Sequence, residues 1–314
     1  MFTHNKEEAM ETVKLGKSTI SSSRLVYGCM RIVGDNSADN REKGKQAVRT
    51  AIEEGYTHFD HADIYGGGLC EELFSEVFDE LPGVREKIII TSKCGIRGKD
   101  KPEKNDPVRY DFSKEHILKS VEGSLTRLKV DYLDLLLLHR PDYLMNAREV
   151  SETFQELKAS RKVLHFGVSN FSPAQVSLLQ TYCPMPLLMN QVEINIHNIN
   201  TLSDGTLDQC QERSITPQAW CPLGGVAYPA WGSTFSPEDE TRIKAELDLQ
   251  AKKYNTEPWI VLLAWLLKHP AVIVPIIGST TPARIKAAKQ ALDIEYSRED
   301  WYRLLEARTG RQVP

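Results

Sequence analysis

The sequence predicts an eight-stranded parallel barrel wrapped by helices, the α/β (β/α)8 or TIM barrel, on three observations. Short apolar strand-type runs alternate with helix-type patterns along the chain, which is the signature of a parallel sheet with helices outside. Three successive strand-type runs finish at polar residues, Asp60, Lys93 and His139, as they would if their ends shared one rim. The 314 residues suit one barrel of roughly 250 residues better than two domains, so residues 1–314 are expected to form a single domain.

Taken in order, residues 12–24 alternate polar and apolar around Gly16-Lys17 and predict a hairpin ahead of the first barrel strand, residues 25–29. Further strands are expected near His58, Ile89, Leu136, Phe166, Met189, Gln218 and Ile273. Between them the helical patterns cover residues 41–54, 70–79, 113–128, 147–160, 173–180, 205–213, 257–268 and 282–291. Ser172-Pro173 and Thr281-Pro282 each place a hydroxyl cap before a proline suited to the first helical turn. Two additional helices exceed the eightfold count, residues 237–254 and 298–308. Residues 94–112, rich in Gly, Lys, Asp and Pro, predict a long loop without structure of its own beside Lys93, either a gate over the site or a solvated insertion.

Hydrophobic residues at 41% and charged residues at 26% are ordinary for a globular protein with a full core. A net charge of -4 speaks against nucleic acid or an anionic membrane as partner. The longest apolar run after the strands, residues 259–267, is far too short to span a bilayer and is expected in the core. Residues 1–10 lack a signal-peptide core, so a cytoplasmic location is expected. Six cysteines without metal-like or redox-like spacing are expected to be free thiols.

The stretch His58-Phe59-Asp60-His61-Ala62-Asp63-Ile64-Tyr65-Gly66 puts an acid at a strand end and a phenol just beyond it. A tyrosine near pKa 10 is a poor acid at neutral pH unless a cation stabilises its phenolate, and Lys93 is the only cation among the four rim groups. Asp60 can hold that ammonium, and His139 can hydrogen-bond a carbonyl oxygen and orient it. Together Asp60, Tyr65, Lys93 and His139 are expected to protonate a carbonyl, with Lys93 and Asp60 lowering the Tyr65 pKa. Singly, each has a plainer reading, a hydrogen-bonded structural histidine or a solvated rim lysine. Their joint place at successive strand ends favours the catalytic one.

In order and context these four residues resemble the catalytic tetrad of the aldo-keto reductases. The phrases Leu-Leu-His-Arg-Pro-Asp (137–142), Gly-Val-Ser-Asn-Phe (167–171) and Asn-Gln-Val-Glu (190–193) also resemble that family. The Asp-His-Ala-Asp-Ile-Tyr-Gly wording is similar to its branch of bacterial YdhF-like oxidoreductases. The resemblance implies reduction of an aldehyde or ketone to an alcohol by hydride from NADPH, with Tyr65 as general acid. It also implies that the hairpin closes the barrel bottom and that the two additional helices are family features. The partner is then a small carbonyl molecule, and a monomer is compatible with the sequence. Because the chain ends at Pro314 soon after the last helical pattern, an open pocket of broad specificity is expected.

No G-x-G-x-x-G follows the first strand, and Gly66-Gly67-Gly68 has the wrong spacing, so a nicotinamide cofactor has to be held otherwise. By resemblance Ser169, Asn170 and Gln191 fix the carboxamide, and Trp220 stacks on the ring where the family usually has tyrosine. Met30 and Arg31 after the first strand, and Cys221, Pro222, Leu223, Gly224 and Gly225 after the seventh, complete that side. Gly224 and Gly225 let the backbone approach a pyrophosphate. Ser279, Thr280 and Arg284, with Gly278 where many members carry lysine, line up with the site for the adenosine 2'-phosphate. NADPH is therefore expected ahead of NADH, with Arg284 as the remaining cation.

Two further readings share these residues. A Schiff-base aldolase would use Lys93 as its amine, and a nicotinamide-binding sensor or regulatory subunit would bind cofactor with little turnover. A metal site from His58, Asp60, His61 and Asp63 is disfavoured, since period-two geometry sends His61 away from His58 and Asp60; no metal is expected. Asp134 within a strand is expected to have a local partner, and Glu193 to be a structural rim acid. Tyr110, Tyr143, Phe171, Tyr228 and Trp231 are candidates for the pocket wall.

Overall fold

The computed structural model describes residues 10–224 and 236–314. An antiparallel hairpin, β1 (Thr12–Lys14) and β2 (Ser21–Ser23), precedes β3 (Val26–Gly28), α1 (Ala38–Glu53), β4 (His58–Asp60), α2 (Leu69–Glu80) and β5 (Ile89–Cys94). Next come β6 (Ile96–Arg97), β7 (Arg109–Tyr110), α3 (Lys114–Leu128), β8 (Leu133–Leu138), α4 (Ala147–Ala159), β9 (Val163–Ser169), α5 (Pro173–Tyr182) and β10 (Leu187–Glu193). The chain ends with α6 (Thr206–Arg213), β11 (Thr216–Trp220), α7 (Pro237–Lys253), α8 (Pro258–Leu267), β12 (Val274–Ile277), α9 (Pro282–Ala287) and α10 (Arg298–Thr309). Eight parallel strands close in chain order, β3-β4-β5-β8-β9-β10-β11-β12 and back to β3, so the expected (β/α)8 barrel is present.

Register decides which strand ends meet. Asp60 lies opposite Thr91, two residues before Lys93, and Lys93 lies opposite Leu137, two residues before His139. Side chains two apart on a strand point the same way, so this staggering brings Asp60, Lys93 and His139 to one rim.

The opposite end of the barrel is stoppered by the hairpin. Leu15 is wholly buried and packs with Ile89, Leu135, Leu137, Leu188 and Met189 from three barrel strands. At Gly16 the backbone is left-handed, and a Cβ there would lie 2.9 Å from the Leu188 Cα, so only glycine brings the turn this close. Its N–H donates to Thr216 Oγ1 at 2.8 Å, and the Arg24 guanidinium donates to the Ile273 carbonyl at 2.5 Å.

Most expected elements are present, with three corrections. Residues 94–112 contain the β6–β7 ribbon, pinned by Arg97 donating to Asp111 at 2.7 Å, where an unstructured loop was expected. Thr281 makes no side-chain cap; its N–H instead donates to Ser279 Oγ at 3.1 Å. The helix it opens ends at Ala287 and tightens into a 3-10 turn, Ala288–Leu292. Ser172 and Ser236 do cap their helices, as does Ser297. The additional helices are α7 and α10, which pack together. α8 is buried from Ile260 to Leu266. Asp134 accepts from the Ile90 N–H and from Arg85, both at 2.9 Å. Among the described residues no helix is long and apolar enough to cross a membrane, and the six cysteines are free thiols.

Because Leu15 fills the barrel floor, Leu15→Ala should destabilise the fold by about 2–5 kcal/mol in urea unfolding.

Candidate active site

Lys93 has no exposed surface, which makes its charge the costliest feature of the barrel. Its ammonium donates to Asp60 Oδ2 at 2.7 Å, the His61 carbonyl at 2.8 Å and the Tyr65 hydroxyl at 3.0 Å. Three protons meet three acceptors. Burial disfavours the ammonium, but the Asp60 carboxylate and Tyr65 outweigh it and hold Lys93 above the ordinary lysine pKa. The lysine is therefore a fixed cation at neutral pH.

Tyr65 opens the 3-10 turn Tyr65–Gly68, and its ring meets that of His139 edge-on, centroids 5.8 Å apart. Burial raises the phenol above its ordinary pKa; Lys93 pulls it down and Asp60 pushes it up. The expected lowering is thus corrected: the phenol is protonated at rest, and Lys93 offsets only part of the burial. Burial, then the charges of Lys93 and Arg140, hold His139 well below the usual histidine pKa, so its imidazole is neutral.

A polar relay crosses the barrel from Asp60. Gln191 Nε2 donates to Asp60 Oδ1 at 2.7 Å and to Gln218 Oε1 at 2.6 Å. Asn170, in a left-handed conformation, donates to Ser169 Oγ at 2.8 Å and to the His139 carbonyl at 3.1 Å, and accepts from Trp220 Nε1 at 2.9 Å. Ser169 Oγ donates to the Gln191 carbonyl at 2.8 Å. Ser169, Asn170, Gln191 and Trp220 therefore form one cluster beside Asp60 and His139. It offers amide, hydroxyl and indole groups, and the buried Gln218 Nε2 has no partner among the described residues. This donor and acceptor set fits a carboxamide.

The remaining expected cofactor residues that are described follow the ends of β3, β11 and β12 on the same rim. Met30 and Arg31 are exposed after β3, and the Arg31 charge reaches the Cys221 thiol, where it opposes the raising effects of burial and Glu193. Cys221 and Gly224 are both left-handed, and the turn through Pro222 and Leu223 closes by the Gly224 N–H donating to the Cys221 carbonyl at 2.9 Å. A Cβ on Gly224 would lie 2.7 Å from Asn195 Oδ1, so the turn packs against Asn195 only with glycine there. Gly225 lies outside the described residues, as do Tyr228 and Trp231. Gly278 faces open space, Ser279 and Thr280 are half-buried, and Arg284 is exposed one turn on.

Tyr143 is exposed and touches Tyr110 at the rim, whereas Phe171 is buried against Phe112 and is core. Glu193 accepts from Asn195 at 3.1 Å, as a structural acid would. His58 bonds Ser22 and Thr91 through its two ring nitrogens, and His61 packs edge-on against Phe74. Among the described residues no cluster of His, Cys, Asp or Glu is arranged for a metal.

Sequence reading missed three groups: Gln218, Arg140 and a clamp beneath the Tyr65 turn. In the clamp, wholly buried Glu71 accepts from Ser92 Oγ and Arg127 Nε, both at 2.7 Å. Arg127 passes between Gly68 and Gly123, whose Cβ atoms would lie 2.7 and 2.8 Å from it. Since Ser92 precedes Lys93 and Glu71 follows the Tyr65 turn, the clamp fixes phenol to ammonium. Gln218 had a signal, since it alternates with Trp220 and must share its face. The clamp had none, its members lying on elements that only the fold brings together.

A protonated phenol, a fixed ammonium and a neutral imidazole share the rim of a closed (β/α)8 barrel, an arrangement chemically able to pass a proton. Comparison with known proteins narrows the class: the profile of the Aldo/keto reductase family matches residues 24–308. The chain belongs to this family of oxidoreductases. It is 42% identical to Oxidoreductase YdhF of Escherichia coli (strain K12) over 93% of this chain and 95% of that protein. It is 38% identical to a 6-dehydroglucose reductase of Agrobacterium fabrum, over 93% and 96%. The crystal structure of the thermostable aldo-keto reductase Tm1743, in complex with the inhibitor epalrestat, superposes with a TM-score of 0.81 at 27% identity, covering 95% of this chain and all of that one.

Two outcomes follow from the site's electrostatics. Arg127→Met strands the Glu71 carboxylate and should cost about 3–5 kcal/mol in chemical unfolding. Burial holds His61 at about 3 in the folded state, below its unfolded value near 6.5. Its contribution is therefore complete above pH 6.5 and is lost as pH falls toward 3. His61→Phe should flatten the loss of stability between pH 6.5 and 4 by up to about 1.4 kcal/mol per pH unit, measured by melts across pH.

Proposed function

We propose that the protein reduces a small aldehyde or ketone to the alcohol with NADPH as reductant and Tyr65 as proton donor. The observation that carries this reading is the Lys93 ammonium, saturated by Asp60, the His61 carbonyl and Tyr65 in a fully buried setting. Bound reduced nicotinamide supplies the hydride. Ser169, Asn170 and Gln191 hold its carboxamide, Trp220 backs the ring, and Met30, Arg31 and residues 221–225 flank the pyrophosphate. Gly278 leaves room for the adenosine end, and Ser279, Thr280 and Arg284 take its 2'-phosphate, which gives NADPH preference over NADH.

The carbonyl oxygen enters between the Tyr65 hydroxyl and the His139 ring. Neutral His139 donates one hydrogen bond and orients it. As charge develops on the oxygen, Tyr65 transfers its proton, and Lys93 stabilises the phenolate left behind. Asp60 keeps the ammonium aimed at the phenol. The single barrel, acting in the cytoplasm on a small molecule, is the working unit.

A Schiff-base aldolase needs a neutral amine, and Lys93 is the opposite, a cation whose three protons are all engaged. Tyr65→Phe should cut carbonyl reduction by about 10²–10⁴-fold in steady-state assays, with NADPH still quenching tryptophan fluorescence. Near-normal turnover by this variant would overturn the mechanism. Quenching by NADPH with no turnover of any carbonyl by the unsubstituted protein would instead point to a cofactor-binding regulatory subunit. Arg284→Ala should narrow the gap between NADPH and NADH dissociation constants in the same titration.

A further inference from the structure

Arg140 follows the catalytic-rim residue His139, yet nothing in the mechanism above uses it. β8, which it follows, and β11, which ends in Trp220, stand three places apart around the barrel. The Arg140 guanidinium carbon nonetheless lies 5.4 Å from the centroid of the Trp220 ring, so the two side chains together bridge the rim between these strands. Its charge is felt at His139.

This guanidinium has no carboxylate partner among the described residues. The undescribed stretch 225–235 contains no acidic residue. On the β6–β7 ribbon, by contrast, Arg97 pairs with Asp111 and Arg109 with Asp106. The acid closest in sequence, Asp142, is turned away, accepting from the N–H groups of Phe112 at 3.0 Å and Leu144 at 2.9 Å. A half-buried guanidinium held on an indole face, with its planar fork unspent beside the place of the reacting carbonyl, is a receptor for an oxyanion.

We propose that Arg140 anchors the carboxylate of the substrate, and that the protein's preferred substrates are small carbonyl acids, oxo- or aldehyde-carboxylates, held with the carbonyl toward Tyr65 and His139. The proposal rests on the reductase reading of the site. The anion could reach Arg140 from the substrate or from the cofactor's pyrophosphate; the substrate is favoured because Arg140 directly follows His139 and its charge is felt there, and the NADPH and benzoate arms of the test separate the two.

The test pairs acids with neutral counterparts, glyoxylate with acetaldehyde, 4-oxobutanoate with butanal, and 4-carboxybenzaldehyde with benzaldehyde. It also titrates the NADP+-loaded protein with benzoate by calorimetry. The unsubstituted protein should favour the acid of at least one pair by about tenfold or more in kcat/KM. Arg140→Met should collapse that ratio by about 10–100-fold, mainly through KM, and weaken benzoate binding to match, whereas Arg140→Lys, a point charge without the fork, should recover only part. Equal turnover of acids and neutral aldehydes, or benzoate bound equally by protein and variant, would overturn the proposal. So would a loss of NADPH affinity in place of benzoate affinity in Arg140→Met. If no carbonyl is reduced at all, the reductase reading fails, while the benzoate titration still decides the fate of the anchor.

Discussion

A lysine ammonium with no exposed surface cannot remain charged in a protein interior unless its hydration is replaced, and the structure of this barrel's rim follows from meeting that demand at Lys93. Asp60 supplies the counter-charge from β4, the His61 carbonyl supplies the second acceptor, and Tyr65 the third. The phenol thus sits where the ammonium needs an oxygen. The same cation that donates to this oxygen also opposes the rise that burial imposes on the phenol's pKa.

Asp60 in turn needs its second oxygen satisfied, and Gln191 does this from the far side of the barrel. The demand then passes to Gln218 on β11. A parallel cluster ties β9 to β11 through Asn170 and Trp220 and to the residue after β8 through the His139 carbonyl. Polar groups that would be liabilities in a core of Leu, Ile and Val therefore lock the strand ends together. The clamp of Glu71, Ser92 and Arg127 does for the outer layer what the relay does for the inner one.

The barrel was legible in the sequence because its strands and helices announce themselves locally, through short apolar runs, caps and prolines. The four rim residues were legible because they sit at strand ends whose order the alternation already implies. The β6–β7 ribbon escaped because two-residue strands carry no periodicity. Thr281 misled because a hydroxyl before proline permits a cap without requiring one; here Ser279 took the N–H. The Tyr65 pKa also went the wrong way, since sequence reveals neighbouring charge but not depth, and burial outweighed Lys93. Arg140 and the clamp are products of register and helix docking, which no single stretch encodes.

The hairpin stopper also bears on how the chain acquires its shape during synthesis. Leu15 emerges well before the strands that complete its socket, which includes Leu188 and Met189, while the Gly16 N–H finds Thr216 and the Arg24 guanidinium finds Ile273, some 200 or more residues later. Contacts this distant in sequence form late, after the loop-closure entropy of the intervening chain has been overcome. Through most of translation Leu15 therefore has nowhere to dock, and the nascent barrel is open at its base. Completion of the last barrel strands seats the stopper, so a hairpin made before every barrel strand reaches its native surroundings after them, and a chaperone that shields exposed apolar segments would hold this one until then.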